Sequence, residues 1–186
     1  MLISVMKNNH PVDVLQVAEQ FVHYSIYDDD AEDYVEQTSK LMQRFAAQLF
    51  QYPMYIYFEG YDWEIDDIRK DSDIEVTYRQ SGRKVLTMSN LKMYHAEIPA
   101  YKIKVQNDVD LRKAFEKWFH LAMENNFWAI TKDDILSYEN GYPIVDGDNL
   151  IILTAEHDAQ GVSLITNDPK WIKQEVLENY IDEEFN

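Results

Sequence analysis

Residues 53–60 read PMYIYFEG. Tyr, Phe and a β-branched Ile in a run this short have the composition of a strand. Just upstream the apolar residues keep a different period. Ala31, Tyr34, Val35, Leu41, Met42, Phe45, Leu49 and Phe50 recur every three or four residues, with Thr38 filling the gap. That spacing predicts an amphipathic helix. The period changes from helical to alternating at Pro53, and this change decides the fold class.

Toward the N-terminus, a first helix is expected from about His10. Asn9 can cap it and Pro11 suits an early helical position. Val14, Leu15, Ala18, Phe21 and Val22 then share a face at helical spacing. Residues 1–52 therefore read as a helical hairpin.

Toward the C-terminus, strands follow. DIEVTYRQ and RKVLTMSN flank Ser81-Gly82 and read as a hairpin about a short turn. IPAYKIKV is a further strand. Asn107 and Asp110 mark a helix start, with Leu111, Ala114, Phe115, Trp118, Leu121 and Ala122 as its buried face. NFWAITKDDILSYENGYPIVDGDN is less regular, and Tyr142-Pro143 and Asp146-Gly147 punctuate it. NLIILTAE and GVSLITN read as another hairpin, joined through residues 157–160. Asn167-Asp168-Pro169 is expected to cap a last helix whose inner side carries Trp171, Ile172, Val176, Tyr180 and Ile181. The final DEEFN is expected to fray.

Helices and strands are segregated, and no sustained βαβ alternation is present. The expected fold is α+β: an N-terminal helical hairpin, a mainly antiparallel β-sheet with an inserted helix, a β-hairpin and a C-terminal helix. A chain of 186 residues suits one domain, with the 1–52 hairpin packed on a sheet-containing core of residues 53–186.

Composition excludes several classes. Hydrophobic residues make up 46% and aromatic residues 13%, which separates this chain from a disordered acidic tail. There is no cysteine, so disulfides, thiol catalysis and Cys-type zinc sites are out. MLISVMKNNHPVD is too short and too weakly apolar for a signal peptide. No apolar run approaches the roughly 20 residues of a membrane span. A cytoplasmic protein is expected.

Charge is the dominant global feature, with 34 acids against 17 bases and a net charge of −17. Such a chain is repelled by nucleic acid and by anionic membranes, so neither is an expected partner. Its field attracts basic proteins or cations. The charge is uneven: residues 1–60 carry −6, residues 61–105 are neutral and residues 106–186 carry −11. Arg79, Arg83, Lys84, Lys92, Lys102 and Lys104 gather on the expected central strands, as a basic patch or as ordinary charge pairing across the sheet.

Within the acidic part, YSIYDDDAEDYVEQ (24–37) holds six carboxylates and no base. Carboxylates are favoured at a helix start by its unpaired N–H groups and macrodipole. Asp29, Glu32, Asp33 and Glu36 also fall opposite the apolar stripe, where they are the expected contacts to a basic partner.

Metal signals are weak. Asp62, Glu64, Asp66 and Asp73 follow a calcium-loop spacing, but the turn glycine is replaced by Asp67 and the final glutamate by Asp. Glu116, His120 and Glu124 repeat every four residues and are the remaining metal candidates, without any zinc signature. Glu156-His157-Asp158 reads as turn chemistry. No nucleophile elbow, phosphate loop or dinucleotide fingerprint is present, and no cofactor is expected. The expected function is a non-enzymatic binding protein that neutralises or regulates a basic protein, of immunity or inhibitor type. The alternatives are a DNA-mimic inhibitor of a nuclease or restriction enzyme, and a metal-dependent enzyme using carboxylates.

Overall fold

The computed structural model describes residues 3–8, 15–17, 20–30, 32–61, 64–70, 74–124 and 126–185. In chain order the elements are β1 (Ile3–Asn8), β2 (Gln16–Val17), β3 (Val22–Asp28), α1 (Tyr34–Leu49), β4 (Met54–Glu59), α2 (Ile65–Lys70), β5 (Val76–Ser89) and β6 (Lys92–Val105). They continue with α3 (Asp108–Trp118), α4 (His120–Met123), β7 (Trp128–Thr131), β8 (Leu136–Glu139), β9 (Tyr142–Val145), β10 (Ile151–Ala155), β11 (Val162–Thr166) and α5 (Gln174–Phe185).

The fold is mixed α+β. Eight strands form one sheet in the order β1-β3-β11-β10-β7-β4-β6-β5, and every neighbouring pair is antiparallel. A small second sheet has the order β2-β9-β8, with β2 parallel to β9. The large sheet is covered on both faces. Tyr24, Ile26, Ile56, Phe58, Ile103, Trp128 and Ile130 meet Leu41, Met42 and Phe45 of α1, Phe115 and Trp118 of α3, and Leu177, Ile181 and Phe185 of α5. On the other face Tyr57, Ala129, Ile152 and Ile165 pack with Leu136 of β8 and Val145 of β9. Alternate residues of one strand thus serve different cores, which is why β7 and β11 are buried along their whole length.

Local chemistry sets the helix starts. Asp33 caps α1, its side chain accepting from the N–H groups of Val35 and Glu36 at 3.1 and 3.0 Å. Asn107 does the same for α3 through Val109 and Asp110. The buried face expected for α3 and the turn after it is buried throughout.

Several expectations are corrected. Among the described residues of the expected N-terminal helical hairpin there is one helix, α1, preceded by strands. Val22 lies in β3 and Leu15 and Phe21 lie outside any helix, while residues 9–14 and 18–19 fall outside the described residues. Short apolar runs fit either period, and pairing of β3 with β11 selects the strand. Residues 3–8 and 22–28 belong to the large sheet, so residues 1–52 do not form a separate helical layer.

Ser81-Gly82 is not a turn. β5 runs through it, and the register slips between Gln80, opposite Pro99, and Lys84, opposite Glu97. This is a β-bulge, with Gly82 at φ +78 supplying the left-handed residue. The chain reverses instead at Asn90-Leu91, both at positive φ, as a two-residue hairpin requires.

The irregular stretch contains the strands β7, β8 and β9, and Asn140-Gly141, both at positive φ, turns β8 into β9. At the C-terminus Asp168 caps a single 3-10 turn (Pro169–Trp171), and the long helix begins later. Ile172 and Val176 are exposed, while Leu177 and Phe185 are buried. Phe185 stacks on Phe45 with ring centroids 4.4 Å apart, so the end of the described chain is anchored rather than frayed.

Candidate functional site

The sequence-derived acidic residues lie at the β3–α1 corner. Asp29 accepts from the Ser4 hydroxyl of β1. Asp33 is occupied by capping, and Glu36 pairs with Lys40 one turn later at 2.5 Å, with both side chains more than half exposed. Glu32 is exposed. α5 extends this surface. It carries Glu175, Glu178, Asp182, Glu183 and Glu184 and has no Lys or Arg. Gln174 at its start donates to the Val5 carbonyl of β1 at 3.1 Å, and Arg44 of α1 donates to the Glu184 carbonyl at 3.2 Å. The corner and α5 therefore border the same edge strand. Their field reaches inward: burial pushes the Tyr24 phenol above its usual range, and Glu175 and Glu178 push it further.

The metal candidates are not assembled. Glu116 faces Arg112 at 3.9 Å, and His120 faces Glu64 at 3.6 Å. Glu124 acts on Tyr61, whose phenol is raised by burial and then by Glu124. Helix α3 ends at Trp118, so the four-residue repeat does not continue along one helix. Among the described residues no group of three His, Asp or Glu is placed to hold a metal ion. Asp62 and Asp73 lie outside the described residues; Asp66 stands 3.6 Å from Lys70. His157 faces its neighbour Asp158 at 3.0 Å in a turn.

Three of the central bases are engaged within the fold. Lys102 donates to Asp134 at 2.6 Å, and Tyr57 donates to the other Asp134 oxygen at 2.8 Å. Burial pushes Asp134 up, but Lys102 and Tyr57 outweigh it, and its carboxyl is held below the usual range. Arg79 lies over the Tyr138 ring at 4.7 Å and donates to the Leu136 carbonyl. Arg83 reaches inward to Glu59 at 2.5 Å.

Glu59 was not singled out by the sequence. It ends β4 and is fully buried. Burial raises its carboxyl above the usual range, against the pull of Arg83 and the nearby Tyr138 hydroxyl. Tyr138 is itself pushed well above its ordinary value, by burial first and then by Glu59. Above this pair Gly82, Arg83, Lys84, Asn140, Gly141, Tyr142 and Pro143 line a cleft of about 440 Å³. Only Arg83 among these residues connects the cleft to Glu59, whose carboxylate is fully buried. The pair joins the β5 bulge to the end of β4.

A second polar cluster was equally illegible. Ser163 of β11 lies 2.8 Å from His23 Nε2 and 2.9 Å from Glu156, while Tyr27 donates to the other Glu156 oxygen at 2.6 Å. Ser163 Oγ thus sits between His23 Nε2 and Glu156 Oε1, and the His23 tautomer sets which of the two receives the hydroxyl proton. The cluster ties β3 to β11 and the β10–β11 turn.

The remaining feature is an arm. β4 pairs with β6 only from Ala100 onward, so the outer parts of β5 and β6 pair with each other alone. Leu86, Met88, Met93 and the tip residue Leu91 are 56%, 65%, 64% and 93% exposed. Comparison with protein-family models, with curated proteins and with solved structures finds no match.

Proposed function

We propose that this chain is a non-enzymatic binding protein that neutralises or regulates a basic protein partner, as an immunity protein or inhibitor does. One observation carries the reading: carboxylates of two separate elements, the β3–α1 corner and α5, border one edge of the sheet. An acid-rich surface of this kind steers a basic partner and raises its association rate. The contacts of Asp134 with Lys102 and Tyr57, of Glu59 with Arg83, and of Glu156 with Ser163 and Tyr27 each join different elements of the fold. No helix among the described residues is long and apolar enough to cross a membrane.

The test is an affinity pull-down from host lysate at low and moderate salt, followed by binding kinetics with any basic protein retained at stoichiometric level. Replacing Asp29, Glu32, Glu36, Glu175, Glu178 and Glu183 by their amides leaves the fold intact and slows association at low salt. An unchanged rate overturns the proposal, as does retention of nothing beyond salt-labile ribosomal and nucleoid proteins.

A further inference from the structure

The outer β5–β6 arm sorts its side chains by alternation. Residues opposite each other in an antiparallel pair project to the same side. Val85 pairs with Ala96 and Thr87 with Tyr94, and these four line a small cavity of about 40 Å³ with Tyr61 and Ile98. Met88, which pairs with Met93, and Leu86, which pairs with His95, therefore project from the opposite face. Met88, Met93 and His95 are all exposed there. Among the described residues, no hydrogen bond or ion pair engages any of the three side chains.

Two thioethers and one imidazole thus share one patch of sheet. Directly opposed residues have Cβ atoms about 5 Å apart. Residues two apart along a strand, such as Met93 and His95, are separated by about 6.7 Å. A methionine side chain is unbranched and turns about three bonds, so its sulfur adapts to what it meets. Both sulfurs and a ring nitrogen of His95 can close on one point above the sheet without moving the backbone. The turn keeps them in register: Asn90 and Leu91, both at positive φ, close a two-residue hairpin next to Met88 and Met93.

We propose that Met88, Met93 and His95 form a binding site for a soft monovalent metal ion, Cu(I). The donor set selects the ion. Thioether sulfur is a soft ligand that favours Cu(I), and imidazole suits copper as well. Residues 83–96 contain no Asp or Glu, so Ca²⁺ and Mg²⁺ lack the carboxylate oxygens that they need. Zn²⁺ sites draw on Cys, His and carboxylates, and of these the set offers His95 alone. The arm ends the sheet on the β5 side, opposite β1, so this site stands apart from the acidic corner and does not rest on the proposed partner.

Anaerobic titration of the full chain with Cu(I), kept reduced by ascorbate and followed by NMR, tests this. Of the seven methionine methyl signals, those of Met88 and Met93 are expected to shift, together with the His95 ring protons, and to saturate at one equivalent. Competition with a Cu(I) chelator gives the affinity. Met88→Leu and Met93→Leu keep the volume of the side chain and remove a donor, and each weakens binding by about tenfold or more. His95→Gln does the same. Met6→Leu and Met123→Leu, at exposed methionines outside the arm, leave the affinity unchanged. Circular dichroism identifies any variant that fails to fold, and the methyl shifts of the parent protein carry the test in that case. No shift of the Met88 and Met93 methyls overturns the proposal. So does binding that survives Met88→Leu with Met93→Leu, or Zn²⁺ held at this site as tightly as Cu(I).

Discussion

Arg83 Nη1 and Glu59 Oε2 stand 2.5 Å apart and join the bulge of β5 to the buried end of β4. The carboxylate is fully enclosed, and the arginine is more than a third exposed. Truncating the arginine therefore leaves an enclosed charge without its partner. Arg83→Ala is expected to cost about 2 kcal/mol, less than a fully buried pair because solvent screens the arginine end. Urea denaturation at neutral pH measures it, and a loss below the error of the extrapolation would show that the pair is not holding the bulge.

The same carboxyl gives a pH signature. Its folded pKa is raised above the ordinary 4.5, so the folded state holds the proton more tightly than the unfolded one. Its contribution to stability is full below the ordinary pKa and is lost as pH rises through the folded pKa. The stability of the parent relative to Glu59→Gln is thus expected to fall with rising pH across that window. Denaturation of both proteins at a series of pH values checks the sign.

Asp134 titrates in the opposite sense. Lys102 and Tyr57 hold its folded pKa below the ordinary 3.8. Its stabilisation is present above that value and disappears as pH falls through the folded pKa. Relative to the parent, Asp134→Asn is expected to lose about 0.5 kcal/mol at neutral pH, the modest value of a partly exposed pair screened by solvent, and to lose less in acid. A deficit that grows in acid would contradict this assignment.

The acidic corner separates capping from surface charge. Asp33→Ala removes the acceptor of two N–H groups and is expected to cost about 1 kcal/mol. Glu32→Gln touches no such contact and should stay within about 0.5 kcal/mol. Thermal melts of the two variants resolve the difference, and equal losses would mean that charge, not capping, sets the effect.

Phe185 closes the helical core between Phe45 and Tyr180. Phe185→Ala is expected to cost about 3 kcal/mol, the usual range for a buried phenylalanine. Proteolysis near the C-terminus should rise with it. A variant as stable as the parent would restore the frayed end that the DEEFN run suggests.

Much of this was legible where the information is local. Helix α1 follows from its 3.6-residue spacing, and the start of α3 follows from Asn107. The strands β4 and β10–β11 follow from alternation and β-branched composition. The α+β class, the acidic character and the lack of any cysteine chemistry follow from the chain alone, because periodicity and charge need no tertiary contact. Tertiary structure alone decided that residues 3–8 and 22–28 are strands, because a short apolar run becomes a strand only when an edge is available to pair with it. It also decided that Ser81-Gly82 is a bulge and not a turn, since that depends on Ile98 and its neighbours more than a dozen residues away. The Glu59–Arg83 pair, the Ser163–His23–Glu156 network and the two faces of the arm were invisible for the same reason. Each joins residues distant in sequence, and only the sheet register brings them within reach of one another.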